Sequence, residues 1–140
     1  MKEDIIYYET KYWKVILHTN QAYLGYSIVI VKSSVGSLAK LSKEEWIDLQ
    51  KVVKKLESSY KKIFNATLFN WNCFMNNAYK SNKPKPLVYW HLRPRYKNKI
   101  KFAGEIFEDK EFAHHPNKKR EHIVSKKVQE LIIKKIRNNL

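Results

Sequence analysis

The stretch Pro86-Leu87-Val88-Tyr89-Trp90-His91-Leu92-Arg93-Pro94-Arg95-Tyr96 constrains this chain more than any other, because it reads as a strand with two unlike faces. With period two, Val88, Trp90 and Leu92 fall on one face, and Leu87, Tyr89, His91 and Arg93 on the other. The first face is core. The second sets a phenol, an imidazole and a guanidinium side by side, which suits an anion better than an apolar interior. Pro94 has no N–H to donate and is expected to end the ladder.

The rest of the chain supplies partners for such a strand. Trp13-Lys14-Val15-Ile16-Leu17 and Ser27-Ile28-Val29-Ile30-Val31 are β-branched runs on either side of the Gly25 turn, the signature of an antiparallel pair. Thr67-Leu68-Phe69-Asn70-Trp71 and Cys73-Phe74-Met75 suggest another strand, and the stretch from Asn76 to Pro86 reads as a polar loop. Ser42-Lys43-Glu44-Glu45 is a capping box. Beyond it Trp46, Leu49, Val52 or Val53, Leu56, Tyr60 and Ile63 recur at helical spacing, so a helix is expected from about Lys43 to Phe64. Ser125 caps a second helix whose inward stripe is Val128, Leu131, Ile132 and Ile136. The fold class is therefore α+β, an antiparallel sheet with two main helices, in one domain spanning residues 1–140.

Composition excludes several classes. With 140 residues and 44% hydrophobic content the chain can bury a real core. Its single cysteine, Cys73, rules out an intramolecular disulfide framework and reads as a buried small hydrophobe. Met1-Lys2-Glu3-Asp4 does not begin a signal peptide and no apolar run reaches membrane-spanning length, so a cytoplasmic location without membrane contact is expected. The formal charge of +15 makes nucleic acid a possible partner. Only Arg93, Arg95, Arg120 and Arg137 are arginines, however, and helical lysine runs such as Lys51, Lys54, Lys55, Lys61 and Lys62 are ordinarily solvated faces. His114-His115 has no Cys or His partner at a ligand spacing, so neither a metal nor a cofactor is expected. Glu108 and Asp109 read as loop solvation.

The strand at 86–96 resembles the signature of the histidine-triad nucleotide hydrolases and transferases, His-φ-His-φ-His-φ-φ followed by Pro-Arg-Tyr. Leu87, Tyr89 and His91 stand at the three histidine positions. Asn20 to Gly25 with Ile28 to Lys32 is similar to the glycine turn and following strand of that family, Asn70 to Tyr79 to its Asn-rich segment, and Phe102 to Asp109 to the extension found in one prokaryotic branch. The match spans roughly residues 12 to 137 in the family's order. It implies an α+β histidine-triad-like fold, a homodimer, and a nucleotide or nucleotidyl phosphate as ligand. In the family the middle histidine attacks the α-phosphorus, the last contacts the phosphate and the first orients the nucleophile.

Tyr89 therefore occupies the nucleophile position and His91 the phosphate-contacting one. At pH 7 a phenol is about one part in a thousand phenolate, a handicap of roughly 4 kcal/mol relative to a free imidazole unless Arg93, Arg95 or a protonated His91 lowers its pKa. Leu87 offers no hydrogen bond for orientation, and Ser34 stands where many relatives carry a further histidine. The expectation is a nucleotide-binding protein whose hydrolase or transferase activity is lost or much reduced, a pseudoenzyme. Its expected ligand contacts are an imidazolium at His91 together with Arg93, Asn76, and His18 and Thr19 for a ribose; Trp13, Ile16 and Leu17 are candidates for a base wall. The alternatives are an active phosphohydrolase of altered mechanism and a basic nucleic-acid-binding module. An apolar slot beside Tyr89 and His91 would favour a nucleotide; lysines gathered on a face away from it would favour nucleic acid.

Overall fold

The computed structural model describes residues 5–140, so the polar start at Met1-Lys2-Glu3-Asp4 lies outside the described residues. Five strands form one antiparallel sheet: β1 (Ile6–Glu9), β2 (Trp13–Leu17), β3 (Ser27–Val31), β4 (Leu68–Asn72) and β5 (Tyr89–Arg95), in the spatial order β1-β2-β3-β5-β4. The expected pair is present, with Trp13 opposite Val31 and Leu17 opposite Ser27. Between them the chain reverses at Gly25, whose φ is +92 and where a Cβ would lie 2.3 Å from the Tyr60 ring. No side chain fits that turn.

Helix α1 (Lys43–Phe64) starts at the Ser42 capping box, with the Ser42 hydroxyl accepting from the Glu45 amide and the Glu45 carboxylate accepting from the Ser42 amide. It stops at Asn65, which adopts the left-handed conformation that ends many helices. Helix α2 (Lys126–Arg137) is capped by Ser125, as expected. Both helices cover the sheet face formed by Trp13, Val15, Leu17, Val29, Val31, Val88 and Leu92, and these residues share one core with Leu49, Val52, Leu56, Tyr60, Ile132 and Ile136. No helix among the described residues is long and apolar enough to cross a membrane.

Several sequence expectations change in the folded chain. Trp46 and Leu131 fit the helical stripes yet stay 42% and 40% exposed; Ile133 is buried in place of Leu131, so the buried face of α2 is rotated about the helix axis from the expected stripe. Cys73 to Met75 leave the strand, which ends at Asn72, and Asn76–Lys80 forms a 3-10 turn inside the expected loop. Pro94 does not end β5. It pairs opposite Phe69 of β4, whereas pairing with β3 stops at Leu92, so its missing N–H falls on the side with no partner strand. A hairpin, β6 (Ile100–Phe102) and β7 (Glu105–Phe107), turns through Ala103 and Gly104, both at positive φ, as a two-residue turn of this hand requires.

Candidate functional site

The sheet face away from the helices carries the site. Register places Ile28 opposite His91 and Ile30 opposite Tyr89, while Ile16 lies opposite Ile28 on the other side. Cross-strand partners share a face, so Ile16, Ile28, Ile30, Tyr89 and Tyr26 form a small apolar floor separate from the main core. Along it runs a slot of about 450 Å³ bounded by His18, Tyr26, Ile28, Ile30, Leu87 and His91. Of the expected base wall, Ile16 is buried in the floor and does not line the slot, and neither do Trp13 and Leu17. Trp13 and Leu17 face the helices, where the Trp13 indole donates to the Glu45 carbonyl at 2.9 Å.

At one end the slot passes Tyr89 and His91 into a second concavity lined by Phe74, Asn76, Asn77, Arg93 and Lys118. His91, Arg93 and Asn76 thus meet, as the sequence suggested, and His18 lines the slot. Thr19 does not join them: it is exposed, and its carbonyl accepts the Val124 amide. Asn77, Lys118 and Tyr26 are additions. Tyr26 was open to discovery, since period two through β3 puts it on the same face as Ile28 and Ile30. Lys118 had no such signal, being one lysine among many and far from β5 in sequence.

Two arginines two residues apart show how differently one strand face can be used. Arg95 is 1% exposed and all five of its N–H groups are taken: Nε and Nη2 by the Asp109 carboxylate at 2.7 and 3.0 Å, Nη1 by Asn70 Oδ1 and the His114 carbonyl, and Nη2 again by the Glu111 carbonyl. Asp109 is therefore a buried counter-ion rather than loop solvation, and Arg95 is not available to Tyr89. Arg93 is 7% exposed and pairs with no carboxylate among the described residues. Its guanidinium lies 4.3 Å from the centre of the Tyr26 ring and donates through Nη2 to the Tyr26 hydroxyl at 3.2 Å. The remaining N–H groups have no protein acceptor among the described residues. A buried cation left in that state is poised for an anion.

His91 accepts or donates at Nδ1 to the Tyr26 hydroxyl, 2.7 Å away, and the Tyr89 ring meets it edge-on at 5.2 Å. Burial, the Arg93 guanidinium, Lys118 and His18 together push its pKa down to about 4. The expected imidazolium is thus absent near neutral pH: His91 is a neutral imidazole, and the positive charge of the site resides on Arg93 and Lys118. Burial also holds the Tyr26 phenol above its ordinary pKa, against the pull of Arg93. Ser34 is exposed, with φ +63, and does not line the slot.

No family model and no curated protein matches the chain. Solved structures do. A hypothetical histidine triad nucleotide-binding protein from Sulfolobus tokodaii strain7 is 20% identical over 98% of this chain and 83% of its own, with a TM-score of 0.69. A histidine triad protein from Bradyrhizobium japonicum is 11% identical over 99% and 91%, with a TM-score of 0.71. The diadenosine triphosphate hydrolase of Plasmodium falciparum, 19% identical, covers 73% of this chain and 68% of its own at a TM-score of 0.56. The protein has the histidine-triad fold, as its sequence resemblance implied.

Proposed function

We propose that this protein binds a nucleotide, with the base in the slot over Ile28 and Ile30 and the phosphate against Arg93, His91 and Asn76, and that it hydrolyses or transfers nucleotides very slowly or not at all. The observation that carries the reading is Arg93, a buried guanidinium without a carboxylate partner, opening beside an apolar slot of suitable size. The slot's position next to Tyr89 and His91 favours a nucleotide over nucleic acid. The slow chemistry follows from Tyr89 at the attacking position, with no described carboxylate or imidazole accepting its proton and with Leu87 beside it. A homodimer fits the fold, since the outer edge of β4 pairs with no strand among the described residues. We place the protein in the cytoplasm, acting as a single domain.

Calorimetric titration with AMP and GMP tests the binding, and measured AMP release from an adenosine phosphoramidate or a dinucleoside polyphosphate tests the chemistry. Binding with turnover far below about 1 per second, an ordinary enzyme rate, is expected. Turnover at or above that rate would make Tyr89 or His91 catalytic and overturn the pseudoenzyme reading. Absence of nucleotide binding would overturn the whole assignment.

A further inference from the structure

The Tyr26 hydroxyl has one proton and two neighbours that want it differently. Arg93 can only donate, so Nη2 at 3.2 Å takes one lone pair of the Tyr26 oxygen. The other neighbour is His91 Nδ1 at 2.7 Å. If Nδ1 carried the imidazole proton, the phenol oxygen would accept twice and its own proton would have no acceptor among the described contacts. If Nδ1 is bare, the chain Arg93 to Tyr26 to His91 satisfies every group in turn. Stacking supports the same geometry, with the His18 ring 4.6 Å from Tyr26 and nearly parallel, and the Arg93 guanidinium over the same phenol ring.

We infer that Tyr26 is a positioning residue that fixes His91 as the Nε2–H tautomer, so that His91 presents a proton donor, and not a base, to the ligand in the cleft. This rests on the nucleotide-binding reading for its purpose but not for its measurement. The charged and titratable groups facing His91 are Arg93 on its own strand, Lys118 from the loop above, His18 at the end of β2, and the phenols Tyr26 and Tyr89. None is an acid. Leu87, just before β5, cannot orient an imidazole, and Tyr26, one residue before β3, does it at Nδ1. A donor at Nε2 suits a phosphoryl oxygen, which accepts hydrogen bonds only.

Nitrogen NMR of the ligand-free protein, labelled at histidine, reads the tautomer and titration of His91 directly. The wild type is expected to show Nε2–H alone. Tyr26→Phe is expected to give a mixture of tautomers and to move the His91 titration upward toward the ordinary histidine value, because a hydrogen bond to the neutral ring is lost. It should also weaken AMP binding about tenfold, the scale of one hydrogen bond to a charged group. His122, bonded to Glu105 elsewhere, serves as the internal control for folding. An Nδ1–H tautomer in the wild type, or an unchanged His91 spectrum in Tyr26→Phe, overturns the inference. If that variant does not fold, the wild-type tautomer alone decides it. If the tautomer is as expected but AMP does not bind, the nucleotide reading fails and the positioning role stands.

Discussion

Arg93 and Arg95 share a strand face and opposite roles, and substitution should separate them. Asp109→Ala strands the Arg95 charge in the interior and is expected to cost roughly 3 to 5 kcal/mol in urea unfolding. Arg93→Met leaves no buried charge behind and removes only the Tyr26 contact, so stability should fall far less than in Asp109→Ala while AMP affinity falls by roughly 1.5 to 3 kcal/mol in calorimetry. At His91 the sign of the pH effect follows from a folded pKa of about 4 against about 6.5 in the unfolded chain. The unfolded chain takes up the proton first as pH falls, so stability should drop between those values and the His91 contribution should level off below them. Urea midpoints at pH 7 and pH 5 should differ less in His91→Gln than in the wild type. Equal differences in the two proteins would mean that His91 titrates in the folded protein as it does in the unfolded chain. Sequence alone could name His91 and Arg93 because period two aligned them. It could not tell that one cation was neutralised by Asp109 and the other was not, since that depends on a loop folding back over the strand.

The elements were legible wherever local chemistry decides them. Capping residues fixed where both helices begin, and Ser42→Ala is expected to cost about 1 kcal/mol by thermal or chemical unfolding. The Gly25 turn is more demanding. Gly25→Ala meets both a positive φ and the Tyr60 ring, whose hydroxyl is itself bonded to Tyr7 at 3.1 Å, so a loss of more than about 1 kcal/mol is expected. A variant as stable as wild type would mean that Tyr60 can swing away from the turn. Boundaries resting on a neighbour were harder to read. Pro94 stays in β5 because the partner strand on its bare side has already ended, and Trp46 stays outside because it lies about a quarter turn from the α1 face on which Glu45, Leu49, Val52 and Leu56 are buried. The Ala103-Gly104 turn carries little sequence signal, because the strands on either side, Ile100–Phe102 and Glu105–Phe107, are too short to show an alternating pattern.

For the whole molecule, the sheet separates the helical lysines from the cleft. The lysines at 51, 54, 55, 61, 62, 126, 127, 134 and 135 are all exposed on the helical layer, behind the sheet from His91 and Arg93. Random single-stranded or duplex nucleic acid should therefore bind weakly, lose affinity steeply from low to physiological salt, and fail to compete with AMP. Submicromolar binding that persists at physiological salt would point to the helical layer as a second functional surface. The sequence by itself determined the α+β class, the ends of the long helices, the pairing of β2 with β3 and the residue types gathered on β5, because periodicity, capping and β-branching act within a few residues. Only the tertiary structure decided which arginine is left without a carboxylate, that His91 is neutral, and that Tyr26 is its partner. Those properties come from burial and from charges brought together across distant segments, and a shifted pKa or a buried guanidinium without a counter-ion exists only once the chain has closed around it.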